Sequence, residues 1–102
     1  MMCTISLGGF IHRIDPALER VLGWKMEELL AVPYLSFIHS DDQATTGAAM
    51  NNLFAGNGTC TFENRFLCKD GRYKWIEWCA KFIPEEEMIQ AMVRENTGRK
   101  AD

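Results

Sequence analysis

Apolar and polar positions alternate with period two at both ends of the chain and with a helical period between them. Cys3 to Ile5 and Phe10 to Ile14 read as two short strands, with Gly8-Gly9 supplying a tight turn. Asp15 then reads as an N-cap and Pro16 as the first helical residue. Leu18, Val21 and Leu22 make one apolar face of this helix, and Gly23 is a suitable stop. A second short helix is expected over Met26–Leu30, with Lys25 where a capping Ser or Thr is common; Pro33 keeps it from continuing far. A longer helix is expected from Asp41 to about Ala55. Ser40 and Gln43 read as a capping box, and Asp41 and Asp42 suit the positive end of the helix dipole. Gly47, Met50 and Phe54 fall on its inner stripe with Leu53 beside them, and Gly56-Asn57-Gly58 ends it.

Thr59 to Cys68 and Arg72 to Phe82 read as two long strands joined at Lys69-Asp70-Gly71, a hairpin signature with Gly71 left-handed. A last strand runs from Met88 to about Arg94, after the acidic loop Glu85-Glu86-Glu87. Alternation places Cys60, Phe62, Asn64, Phe66 and Cys68 on one face, and Thr59, Thr61, Glu63, Arg65 and Leu67 on the other. Burying unpaired Glu63 and Arg65 would cost several kcal/mol per ion, so the phenylalanine face is the core. In the second strand Ile76, Trp78, Ala80 and Phe82 point inward. The outer set is Tyr73, Trp75, Glu77, Cys79 and Lys81, a partly apolar face that needs a cover. Strands and helices segregated in this way predict an α+β domain with an antiparallel sheet.

The 102 residues suit one domain, 1–102, with the start of an output linker near 97–102. At 47% hydrophobic and 25% charged the composition is that of a folded protein. The net charge of −3 and the lack of a Lys/Arg cluster argue against nucleic acid. No apolar run approaches the roughly 20 residues that span a bilayer, so no direct membrane contact is expected. Cys3, Cys60, Cys68 and Cys79 form no C-x-x-C pair and have no zinc-finger spacing to His12 or His39. They read as buried reduced thiols, which implies a cytoplasmic setting and no metal.

Ile14-Asp15-Pro16-Ala17, Leu22-Gly23-Trp24 and Glu27-Glu28-Leu29 resemble the opening of a PAS domain. Phe37-Ile38-His39-Ser40-Asp41-Asp42 is similar to its middle segment, with Ser40 where proline is usual. Glu63-Asn64-Arg65, Lys69-Asp70-Gly71 and Lys74-Trp75 resemble its paired-strand signature. Val93 to Lys100 resembles its closing motif, though Gly98 there weakens a helical exit. The resemblance spans nearly the whole chain. It implies a five-stranded antiparallel sheet with short helices on one face. It also implies a sensory module that binds a small ligand or dimerises to regulate an attached output domain, such as a histidine kinase or a cyclic-dinucleotide enzyme.

The ligand reading places a pocket between sheet and helices, lined by Leu22, Phe37, Met50, Phe54, Asn64, Phe66, Ile76, Trp78, Ile89, Ala91 and Val93. Asn64 is its lone polar group, held by a backbone group or a water, or else orienting a ligand. The alternative is an interaction module with a filled core. For that reading Leu67, Tyr73 and Trp75 form an outer patch, rimmed by Glu63, Arg65, Glu77 and Lys81, that pairs with a second copy as a homodimer. The cofactor is left unknown. Haem-binding members place a His on the long helix, and residues 41–55 contain none; the flavin-photosensor cysteine segment is missing too. His39 reads as packing or bonding backbone, and His12 as a surface residue. No nucleophile stands beside a base, so no catalytic residue is assigned and the domain reads as non-enzymatic.

Overall fold

The computed structural model describes residues 1–56 and 58–97. Asn57 of the expected helix stop, and residues 98–102 with Gly98 and most of the expected linker, lie outside the described residues. Strands β1 (Met2–Ser6) and β2 (Ile11–Ile14) open the chain. Helices α1 (Pro16–Leu22) and α2 (Met26–Leu30), a 3-10 turn (Tyr34–Phe37) and helix α3 (Ser40–Phe54) follow, and β3 (Thr59–Leu67), β4 (Tyr73–Ile83) and β5 (Met88–Glu95) close it. The strands form one antiparallel sheet in the order β2-β1-β5-β4-β3. This is the α+β architecture expected, with a core cluster that draws residues from both the sheet and the helices. No helix among the described residues is long and apolar enough to cross a membrane.

Local chemistry explains the helix boundaries. Asp15 Oδ1 accepts from the Ala17 N–H at 2.9 Å, which satisfies one of the orphan donors at the start of α1. Gly23 ends α1 at φ +82°, and a Cβ there would also stand 3.1 Å from Lys69 Cβ. That close approach lets the hairpin dock on the helix end: Lys69 N–H donates to Leu22 O, Lys74 Nζ to Val21 O, and Trp24 Nε1 to Leu67 O at 2.8 Å. Lys25 offers no cap to α2. Two carboxylates do that work instead, Glu28 accepting from the Lys25 N–H and Glu19 from the Met26 N–H.

The start of α3 differs from the expected capping box. His39 is the N-cap, and its Nδ1 accepts from the Asp41 N–H at 3.1 Å. The Gln43 amide instead donates to the Leu35 and Ile38 carbonyls, tying α3 to the 3-10 turn. The inner stripe also differs in part from the one expected. Thr46, Met50 and Leu53 are buried, whereas Phe54 is half-buried against Phe82 and a Cβ on Gly47 would meet nothing within 4 Å. The β3–β4 hairpin turns at Asp70-Gly71 with Gly71 at φ +89°, as its sequence requires.

Candidate functional site

The expected inner pocket maps onto the core between sheet and helices. Leu22, Phe37, Met50, Asn64, Phe66, Ile76, Trp78, Ile89, Ala91 and Val93 are all buried, and Phe54 packs against them half-buried. Asn64, facing in from β3, is fully buried. Its Oδ1 accepts from Trp78 Nε1 at 2.8 Å, and its Nδ2 donates to Thr46 Oγ1 at 3.1 Å. Indole nitrogen only donates, so the orientation of the amide follows from the chemistry of its neighbours. The partners are therefore two side chains from different elements, not the backbone group or water expected from sequence. Thr46, which sequence reasoning did not place inward, completes the network. Phe37 stacks on Phe66 at 5.3 Å between ring centroids, and Phe62 lies parallel to Trp78 at 6.2 Å. Together these groups lock α3 to the middle of β3 and β4.

At the start of α3 a second cluster joins the helix to the outer sheet face. The Arg65 guanidinium grips Asp42 in a bidentate fork, Nε to Oδ2 at 2.9 Å and a terminal nitrogen to Oδ1 at 2.8 Å. The Arg65 backbone N–H also donates to Asp42 Oδ2. The Arg65 side-chain bonds hold the Asp42 carboxyl below the usual carboxylate range, outweighing the opposite pull of partial burial. Asp42 then stabilises the fold fully above its unfolded pKa of about 3.9, and that contribution is lost as pH falls through the lower folded value. Wild type is expected to outlast Asp42→Asn in urea at neutral pH, with the gap closing below about pH 4. A gap that persists unchanged into acid would remove Asp42 as its source.

Arg65 also lies over the Trp75 ring, 5.0 Å from its centroid, and Tyr73 meets His39 edge-on at 4.8 Å. Trp75 is thereby half-covered, and Leu67 is half-buried too, so of the expected interface trio Tyr73 is the most open, at 46%. Three of the charges expected to rim the patch are engaged inside the chain: Arg65 with Asp42, Glu77 with Arg94, and Glu63 with the Asn96 amide. His12 stands exposed on β2, as a surface residue.

The most open apolar ground lies nearer the centre of the sheet. Met2, Met92 and Cys79 sit side by side on β1, β5 and β4, all facing outward. Met92 is 57% exposed and Met2 37%. Cys79 is exposed as well and Cys60 is half-buried, which corrects the expectation of buried thiols at both. Cys3 and Cys68 are buried as expected, and burial pushes the Cys3 thiol up to about 12. Clefts of about 390 and 430 Å³ flank Met92, and a third of about 610 Å³ opens between β2, β1 and the β4–β5 turn. Among the described residues no three His, Cys, Asp or Glu side chains are grouped to hold a metal.

Comparison with known proteins gives the same architecture. The family model described as PAS fold matches residues 11–93. The Drosophila melanogaster Cycle PAS-B domain is 24% identical, with 92% of this chain and 97% of that one covered at a TM-score of 0.78. The PAS domain of the Cronobacter turicensis RpfR quorum-sensing receptor is 15% identical over 94% of this chain and 92% of that one, at 0.80. The N-terminal domain of a Marinobacter aquaeolei diguanylate cyclase with a PAS/PAC sensor is 19% identical over 92% of each chain, at 0.78. No curated protein sequence matches the chain.

Proposed function

The chain belongs to the PAS family, and from that membership we propose that it is a signal-transducing module of a larger cytoplasmic protein that works by pairing with a second copy through the outer face of its sheet. The supporting observation is the open apolar row Met2–Met92–Cys79 with Tyr73 nearby on the same face. Adjacent apolar side chains on one uncovered sheet face make a patch rather than scattered exposure. The flanks of the row suit a symmetric contact. On one side run Arg13, Thr4, Gln90 and Lys81, and on the other Arg94, Glu77 and Glu63. A two-fold axis along the row sets the basic flank of one copy against the acid-bearing flank of the other. The expected trio Leu67, Tyr73 and Trp75 lies at one end of this surface, so the contact centre moves towards Met92. The attached output would be a kinase or cyclic-dinucleotide enzyme, as in the diguanylate cyclase that carries a domain of this fold.

A small ligand in the core is the second reading. Its support is the buried Asn64 amide and the fold relatives seen with C12:0 or ethylene glycol bound. Here both ends of the amide are taken by protein groups, so a polar ligand would have to displace Trp78 or Thr46. Sedimentation and native mass spectrometry of the freshly purified chain separate the readings. The expected result is a dimer of bare chains that Met92→Glu converts to monomer, with a smaller loss in Trp75→Glu. A wild type that stays monomeric at high concentration overturns pairing, and a co-purified small molecule moves the reading to the core.

A further inference from the structure

The three outward residues of the apolar row share an atom type, sulfur, and their shape does not require it. Met2 pairs with Met92 across β1 and β5, and Met92 pairs with Cys79 across β5 and β4. All three line the same cleft of about 390 Å³. Direct cross-strand neighbours place their Cβ atoms about 4.5–5.5 Å apart. Two unbranched thioether side chains on an open face can therefore swing over the thiol between strands without moving the backbone. The thioether of Met2 is already an acceptor, taking a contact from Gln90 Nε2 at 3.3 Å. Its lone pair thus points along the sheet surface and not into the core.

We propose that Met2, Met92 and Cys79 form a surface site for one soft monovalent metal ion of the Cu(I) type. One thiolate and two thioethers are the donor set that selects Cu(I) over borderline and hard cations. Zinc sites are built from thiolate, imidazole and carboxylate; the cleft has neither of the last two among its lining residues, and Glu77, which lines the neighbouring cleft with Cys79 and Met92, is held by Arg94. On binding, the Cys79 thiol gives its proton to solvent and its sulfur bonds the metal. The two thioethers each donate a lone pair, Gln90 turns from Met2 to water, and no electron is transferred. Cu(I) and thiolate together carry no net charge, so Lys81 beside the cleft sets up no strong repulsion. The site is complete within one chain and does not rest on the pairing proposed above.

The test is an anaerobic titration of the reduced full chain with Cu(I), in competition with bicinchoninate. The expected result is one ion per chain, abolished by Cys79→Ser and weakened at least tenfold by Met92→Leu and by Met2→Leu. Met88→Leu, on the same strand but away from this cleft, and Cys60→Ser, on the inner face, leave binding unchanged. X-ray absorption of the complex should show sulfur alone in the first shell. Binding that survives both methionine changes, a stoichiometry other than one, or nitrogen or oxygen in the first shell overturns the site. The pairing proposed above would cover the same three sulfurs, so the titration is run at a dilution where sedimentation shows monomer; a chain that never dimerises is titrated as it is.

Discussion

Phe66→Ala should cost about 3–5 kcal/mol, the range for deleting a fully buried aromatic ring. Phe66 is 1% exposed, stacks on Phe37 and lies 6.3 Å from the Trp78 ring. Its removal leaves a void bounded by two rings that are themselves held, Trp78 by Asn64 and Phe37 by Trp24 at 5.3 Å. Such walls collapse poorly, which places the expected cost towards the upper part of that range. Small domains have total stabilities of about 5–15 kcal/mol, so this variant should lie close to its unfolding midpoint at moderate temperature. Urea denaturation reads the difference directly. A loss below about 1 kcal/mol would mean that the ring is not held in a closed core.

Asn64→Leu should be nearly as damaging, by a different route. The new side chain is apolar and of similar volume, so packing changes little. The Trp78 N–H and the Thr46 hydroxyl, however, lose their partner inside the core. Each buried group left unsatisfied costs about 1–3 kcal/mol, so about 3 kcal/mol is expected for the pair. The diagnostic is the triple variant Asn64→Leu, Thr46→Val, Trp78→Phe, which removes the stranded groups along with their partner. It should recover part of the loss, because no polar group is left stranded, offset by the void that Trp78→Phe opens in the core. A triple variant less stable than Asn64→Leu alone would show that shape, not hydrogen bonding, sets the worth of these positions.

The elements that could be read from sequence are those whose causes are local. Asp15-Pro16 and Gly23 mark the ends of α1 because cap and stop chemistry acts within a turn, and Asp70-Gly71 marks its hairpin for the same reason. The face assignment of β3 and β4 followed from alternation, and Asn64 duly lies inside. On α3 only Met50 of the expected stripe is fully buried, with Thr46 and Leu53 in place of Gly47 and Phe54, because Gly47, Ala48 and Ala49 are too small to announce a side. The burial of Thr46 is decided by Asn64, which reaches it from a strand eighteen positions on. Likewise Arg65 looks like a free surface charge until α3 brings Asp42 beneath it. Cys79 shows the conflict of two rules. Alternation put it outside and the general habit of cysteine put it inside, and alternation prevailed because every side chain of a strand must obey the pleat.

The position of β1 in the sheet has a consequence for how the chain comes into being. β1 lies between β2 and β5, and Met2 is matched to Met92, so the first strand of this domain waits for its last. Even the backbone of Met1 is clasped by Val93. The β3–β4 hairpin can form from neighbours in sequence, but β1 and β2 join it only through β5. On a ribosome, then, the β1–β2 hairpin emerges with the β1 edge open and that edge stays so until residues 88–95 clear the exit tunnel. Closure of so long a loop makes refolding slower than for a helical bundle of this size. A nascent chain stalled before Met88 should accordingly be cleaved by protease in its first fifteen or so residues, well after the β3–β4 hairpin is available to form.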